Sequence, residues 1–111
     1  MAKPAPLDVW LHGIRVGTIA TNTSPGNVAF SYSAEAQDRW PGGTPILSCS
    51  LPVQSRRTDA SLWFRGLLPE GRARDAMAAR ANVATYNTFA MLARFGRDVA
   101  GAVTIGEQGH A

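Results

Sequence analysis

The run from residue 63 to residue 71, WFRGLLPEG, constrains the fold more than any other stretch because a proline and a glycine end it abruptly. The segments before it alternate apolar and polar residues as strands do, whereas the segments after it show helical spacing. The run therefore lies where a strand-rich half and a helix-rich half must pack together, which predicts an α+β fold.

Three short stretches before this run have the period of two that is typical of half-buried strands, namely residues 7–11, 14–20 and 28–32. Between the first two, His12 and Gly13 provide a tight turn, since glycine tolerates positive φ. Gly17 interrupts the second stretch and is a candidate for a β-bulge. The pattern predicts an antiparallel meander of three strands.

Helical spacing predicts a first helix from a cap at Thr58 or Asp59 to about residue 68 and a second over 72–81. Pro69 ends the first helix and can open the second. Ala73, Ala76, Met77 and Ala81 are the predicted apolar side of the second helix.

A third helix is predicted from a cap at Thr85 to about residue 95, with Tyr86 and Phe89 on its apolar stripe. Gly96 then stands where a residue in the left-handed conformation commonly closes a helix. Ser33 could also cap a short helical turn over 34–40.

Residues 99–105 alternate once more and predict a last strand, which most easily joins the meander. The predicted fold is thus α+β: a small antiparallel sheet, made of the N-terminal three-stranded meander and a C-terminal strand, packed with about three helices. Because 111 residues suffice for one domain and not for two, we expect a single domain over 1–111 with its core at about 7–105.

Side chains that support catalysis are scarce. His12, His110 and Cys49 are too few and too scattered in sequence for a metal site or an activated nucleophile. The chain has no phosphate-binding glycine motif, and Cys49 reads as a buried, inert thiol. We therefore expect no catalytic residue, no metal and no cofactor.

The apolar runs are shorter than a membrane span, and the N-terminus lacks the apolar core of a secretory signal. With a single cysteine, these features predict a cytoplasmic protein without a membrane partner. The net charge of +3 comes almost wholly from dispersed arginines. They are either solvated or make auxiliary contacts with DNA phosphates inside a larger complex.

Five short motifs occur in order along the chain and together resemble a known family. They are Val16-Gly17, Phe30-x-Tyr32, Leu47-Ser48-x-Ser50-Leu51-Pro52, Leu67-Leu68-Pro69-Glu70-Gly71 and Gly96-Arg97-Asp98-x-x-Gly101-Ala102-Val103. In this arrangement the chain, from about residue 7 to 105, resembles the N-terminal subdomain of HipA-type serine/threonine kinases, the toxins of bacterial type II toxin–antitoxin modules.

The resemblance implies a subdomain that packs on the kinase core and carries neither the ATP site nor the catalytic aspartate. It is similar to HipS, a separately encoded subdomain that accompanies a shortened kinase, HipT, and a helix-turn-helix protein, HipB. It implies a non-catalytic antitoxin that binds and neutralises a HipT- or HipA-type kinase, with a HipB-like protein as a further partner and DNA reached only through the complex. The alternatives are a truncated kinase subdomain that is inert alone and an independent DNA-binding protein.

The predicted contact residues lie in the opening run. A helical wheel places Phe64, Leu67 and Leu68 on the core stripe, together with Ala60, and leaves Trp63 on its flank. Large aromatic side chains dominate interface energetics, so Trp63 is the predicted anchor for the kinase, although it could equally complete the core.

Arg65 and Glu70 are the predicted polar contacts at the rim of the same surface, or else solvated side chains. Glu70 is expected in the first turn of the second helix, where a carboxylate favours the positive end of the helix dipole.

Overall fold

In the computed structural model, which describes residues 5–21, 27–48, 51–96 and 103–107, a five-stranded antiparallel sheet packs with four helices. The strands are β1 (Leu7–Leu11), β2 (Ile14–Thr21), β3 (Val28–Tyr32), β4 (Thr58–Asp59) and β5 (Val103–Glu107). The helices are α1 (Ala34–Arg39), α2 (Ser61–Arg65), α3 (Gly71–Ala81) and α4 (Thr88–Phe95). The strand order β4-β3-β2-β1-β5 places the C-terminal strand beside the meander, which confirms the predicted α+β fold.

The meander forms as its sequence pattern predicts. His12 (φ 51°) and Gly13 (φ 80°) make the tight turn between β1 and β2. The pairing skips a residue at Val16, since Val9 pairs with Gly17 whereas the next residue of β1 pairs with Arg15. The bulge is therefore next to Gly17, where a Cβ atom would lie 2.7 Å from the ring of Phe30.

The expectation that β1 is half-buried is wrong, because this strand is buried on both faces. Leu7 and Val9 lie in the core, and Asp8 and Trp10 on the opposite face are only 4% and 7% exposed. β1 pairs with β2 on one side and with β5 on the other, so it is an interior strand. The Asp8 carboxylate lies 3.1 Å from Nε of Arg15, and this ion pair offsets the cost of burying the charge.

The core lies between the sheet and the helices, with Phe30 near its centre. The Phe30 ring packs edge-on against Tyr32 at 4.7 Å between centroids and lies 5.7 Å from the ring of Phe64. The other buried apolar members are Leu7, Val9, Val16, Ile19, Val28, Ala36, Leu51, Val53, Ala60, Leu68, Ala78, Phe89, Met91, Leu92, Val103 and Ile105. These residues come from β1 to α4 and from β5, so one continuous core joins the two halves of the sequence.

The start of the first predicted helix is wrong. Thr58 and Asp59 do not cap it but form β4, paired with Phe30 and Ala29 on the edge of β3. The Ala60 N–H then donates to the carbonyl of Val28, so that α2 begins only at Ser61. Free backbone groups on β3 hold this segment extended for two more residues than its helical spacing suggests.

The boundaries of α4 also differ from the prediction. Its cap is Asn87, whose side chain accepts from the Ala90 N–H, rather than Thr85. Tyr86 therefore lies outside the helix and is 68% exposed instead of buried. Gly96 has φ −62°, so the left-handed assignment is wrong. A larger residue would not fit at this position, because a Cβ there would lie 2.7 Å from the Cβ of Ile105.

The short helical turn after Ser33 is present as α1, and the Ser33 hydroxyl accepts from the Ala36 N–H at 3.1 Å. α3 begins at Gly71 rather than at Pro69. The predictions for Cys49 and for residues 99–102 of the last strand concern positions outside the described residues.

Candidate partner-binding surface

Helix α2 presents opposite surfaces to the core and to solvent. Phe64 is fully buried against the sheet, whereas Leu62 is 84% exposed. Trp63, between them, is partly buried. A helix of five residues is too short to be stable by itself, so its orientation depends on contacts at its two ends.

The first end is fixed to the sheet by polar groups. Oδ1 of Asp59 accepts hydrogen bonds from the Ser61 N–H at 2.9 Å and from the Ser61 hydroxyl at 2.6 Å. The Val28 N–H in turn donates to the Ser61 hydroxyl oxygen at 2.8 Å. The two bonds from Ser61, the hydroxyl first and the N–H second, hold the pKa of Asp59 below its usual value. Asp59 therefore stays ionised at neutral pH.

The second end is held by a buried arginine of α3. Nε of Arg74 donates to the carbonyl of Pro69 at 2.9 Å, and Nη2 donates to the carbonyl of Arg65 at 3.1 Å. Arg65 is the last residue of α2, so its carbonyl accepts from outside the helix, from the Leu68 N–H at 3.1 Å as well as from Arg74. The guanidinium also places a positive charge at the negative end of that helix. Arg74 thus fixes the connection from α2 to α3.

Treating every arginine as solvated is wrong for Arg74, which is only 8% exposed. The predicted apolar side of α3 is right only in part. Met77 packs partly buried against the core, but Ala73 and Ala76 are exposed, and Arg74 and Ala78 are buried in their place. The spacing of four residues between Arg74 and Ala78 places both side chains on one face of the helix. The sequence pattern does not mark this face as buried, because arginine is usually a solvated residue.

The three predicted contact residues lie on or beside α2. The Trp63 ring packs edge-on against Phe64 at 4.9 Å between centroids, so part of it belongs to the core and the rest faces outward. Arg65 and Glu70 are both exposed. Glu70 precedes α3 at the capping position, without a side-chain hydrogen bond to the helix, rather than lying in its first turn. Their roles in binding stay predictions.

A surface groove of about 360 Å³ runs beside α2, and we call it the α2 groove. It is lined by Leu51, Asp59, Ala60, Ser61, Leu62 and Trp63. Leu62 was not singled out from the sequence, although it is the most exposed large apolar side chain in the described part of the chain. Leu62 lies two positions before Phe64 in the helix, so it points about 200° away from the core-facing direction.

Two further grooves lie elsewhere on the described surface. One of about 350 Å³ is lined by Ala81, Val83, Phe89, Ala90, Ala93 and Arg94. The other, of about 370 Å³, is lined by Ile14, Arg15, Glu35, Ala36, Asp38, Arg39 and Trp40. Within the described residues, no three His, Cys, Asp or Glu side chains are grouped as metal ligands, and none of the helices there is long and apolar enough to span a membrane.

The model of one family, the HipA N-terminal domain, matches residues 7–106. This match covers nearly the whole chain, including α2 and the Leu67 to Gly71 motif that follows it. The chain belongs to this family.

Relatives in the HipA N-terminal domain family include Y4mE of Sinorhizobium fredii, a protein named as a kinase, which is 38% identical over 102 residues. The serine/threonine-protein kinase toxin HipA of Shewanella oneidensis is 28% identical over 110 residues. These alignments cover 89% and 97% of this chain but 24% of each relative. The chain therefore spans about a quarter of the length of these two relatives.

The fold also matches a solved structure of this family. The structure is the Shewanella oneidensis toxin–antitoxin complex of HipA, HipB and operator DNA. It superposes with a TM-score of 0.75 and 27% sequence identity over 94% of this chain and 24% of the matched chain. The similarity is thus to one subdomain of a HipA-type protein.

Proposed function

We propose that this chain is a non-catalytic, antitoxin-like binding module that binds and neutralises a HipT- or HipA-type serine/threonine kinase toxin. The observation that carries the proposal is the surface of α2, where exposed Leu62 lies beside partly exposed Trp63. Exposed large apolar side chains on a well-held element are typical of interaction sites. Membership in the HipA N-terminal domain family supports a HipA-type kinase as the partner.

The proposed mechanism is steric. The chain docks with α2 at or beside the active-site cleft of the kinase, Trp63 inserts as the aromatic anchor, and the kinase is held inactive. Arg65 and Glu70 make polar contacts around that anchor, where partly solvated charges set orientation more than affinity. Arg74 and Asp59 keep α2 in place, so little conformational entropy is lost when the complex forms.

The proposed assembly includes a HipB-like helix-turn-helix protein as a second partner. The related Shewanella oneidensis complex contains HipA, HipB and operator DNA, which supports this composition. In the proposed assembly this chain contacts the kinase and reaches DNA only through the complex. It works in the cytoplasm without a metal or cofactor.

The test is growth rescue in a bacterial host that expresses a HipA-type kinase from the same genome, a kinase encoded beside this chain if there is one, which we call the neighbouring kinase. We expect co-expression of the wild-type chain to restore growth and Trp63→Ala to abolish the rescue. The matched control is Trp40→Ala, which removes another partly buried tryptophan that lies beside α1 instead of α2. A folded Trp63→Ala variant that rescues growth as well as Trp40→Ala would remove Trp63 from the interface.

One alternative has an observation in its favour. Because the chain spans about a quarter of the length of its relatives, it could be the N-terminal subdomain of a HipA-type kinase and be inert alone. An in-frame continuation into a kinase domain would favour this alternative. A separate neighbouring gene for a shortened kinase would favour the antitoxin.

A further inference from the structure

We propose that the α2 groove receives a lysine or arginine side chain of the kinase partner. The aliphatic stem of that side chain lies against Leu62 and Trp63, and its cationic end pairs with the carboxylate of Asp59. The proposal rests on the proposed function, because it takes the kinase as the partner of the same surface.

The lining of the groove combines apolar walls with one charged group. Leu51, Ala60, Leu62 and Trp63 supply apolar surface, and Asp59 and Ser61 supply the polar part. Leu62 stands almost free in solvent, so apolar groups of a partner can cover it without displacing any contact of the fold. Lysine and arginine combine a long apolar stem with a cationic end and match this lining better than other side chains do.

The charge of the groove is set by Asp59. Both hydrogen bonds from Ser61 go to Oδ1 and lower the pKa of the carboxyl group, which is therefore ionised at neutral pH. Oδ2 retains its lone pairs for a donor from the partner. One of these bonds satisfies the Ser61 N–H, the first of α2, and a helix of five residues has a weak dipole, so the helix opposes a bound cation little.

The aromatic ring of Trp63 adds a second attraction for a cation. Lysine and arginine side chains are favoured over the face of an indole ring, and arginine more often than lysine. The structure contains this pairing elsewhere, since the guanidinium of Arg39 lies 5.3 Å from the ring centre of Trp40. Asp59 and Trp63 line the same groove, so one cationic side chain can use both.

The chain carries a net charge of +3, so its overall field does not attract a basic partner. The proposed contact is therefore a short-range pair at one position, and it sets the orientation of α2 on the kinase more than the rate of encounter. An anionic ligand or an anionic lipid headgroup would meet the Asp59 carboxylate and be repelled.

The test is titration calorimetry of purified chain and purified neighbouring kinase at 50 and 300 mM salt. Asp59→Asn keeps the Oδ1 acceptor for Ser61 and removes only the charge. We expect it to raise Kd about tenfold at low salt and to flatten the salt dependence, since a charge pair is screened by salt. Leu62→Ala should raise Kd by a similar factor without altering the salt dependence.

The matched control is Asp75→Asn, which neutralises an exposed carboxylate on α3 and should change Kd less than twofold. Asp59→Lys should bind more weakly than Asp59→Asn, because it places like charges together. Thermal unfolding of each variant confirms that the fold is intact.

The possible failures are distinct. If Asp59→Asn binds as tightly as wild type and Trp63→Ala does not, the proposal of a cationic side chain in the α2 groove is refuted, and the proposed kinase binding stands. If the wild-type chain does not bind the kinase, the proposed function fails and this inference falls with it.

Discussion

The meander and helix α2 hold their places in the fold by different means. In the meander, every residue of β1 and of β3 is paired with β2, and β1 is buried on both faces. By contrast, α2 has five residues and buries one large side chain, Phe64. Hydrogen bonds of Asp59, Ser61 and Arg74 hold its two ends instead.

The difference shows how a small domain can expose apolar surface without losing its structure. Strand β1 is paired on both edges and buried on both faces, so its apolar residues all stabilise the fold. A helix that polar bonds fix at both ends does not need every apolar side chain for packing. Leu62 and part of Trp63 are therefore free to contact a partner.

The largest effect should come from Gly17→Ala in the meander. The new Cβ would overlap the carbonyl of Ser31 and lie 2.7 Å from the ring of Phe30, in a sheet that cannot yield. We expect the free energy of unfolding to fall by about 3 kcal/mol, as for overpacked cores. Urea denaturation of both proteins measures this loss of unfolding free energy.

The control for that substitution is Gly13→Ala in the turn of the same meander. No atom lies within 4 Å of the added Cβ, but φ is +80°, so only backbone strain of about 1 kcal/mol is expected. Equal losses for the two variants would contradict the close packing of β2 on β3.

Arg74→Met should have the next largest effect and tests how α2 is held. Methionine preserves the apolar stem and removes the donors to the carbonyls of Arg65 and Pro69. We expect a loss of about 2 kcal/mol of unfolding free energy together with weaker kinase binding. Arg72→Met, at an exposed position of the same helix, should change the unfolding free energy by less than about 0.5 kcal/mol.

If Arg74→Met unfolds like wild type at the same urea concentration, the two hydrogen bonds do not stabilise the connection. If it loses stability but the folded variant binds the kinase as wild type does, the position of α2 does not depend on Arg74.

A smaller effect is expected for Tyr32→Phe, which connects the meander to the segment before α2. The Tyr32 hydroxyl donates to the carbonyl of Leu51, and burial raises its pKa from 10.0 to about 12. Removing the hydrogen bond should cost about 1 kcal/mol at pH 7.

The same substitution should change how stability depends on pH. The raised pKa means that the neutral hydroxyl contributes stability fully below pH 10 and loses it as the pH rises to about 12. The unfolding free energy of wild type should therefore fall more steeply over that range than that of Tyr32→Phe. Parallel curves would show that the hydroxyl titrates as it does in the unfolded chain.

The sequence predicted the meander well because its signals are local. Alternation, the His12-Gly13 turn and the bulge beside Gly17 each depend on neighbouring residues. The start of α2 was missed because β4 forms only when β3 offers its edge, about 30 residues earlier in the chain.

The position of Trp63 beside the core follows from the helical wheel, whereas its role in binding stays a prediction. The same wheel places Leu62 nearly opposite Phe64, which indicates an exposed side chain. Arg74 could not be identified by composition, since its role depends on two backbone carbonyls that only the folded chain brings together.

The most direct measurement is the affinity of the purified chain for the purified neighbouring HipA-type kinase, compared with the double variant Leu62→Ala/Trp63→Ala. We predict a complex with Kd below about 1 μM, and a loss of about 100-fold or more in the double variant, whose fold should remain intact. The absence of binding by wild type, or equal binding by the double variant, would contradict the proposal that α2 is the kinase-binding surface.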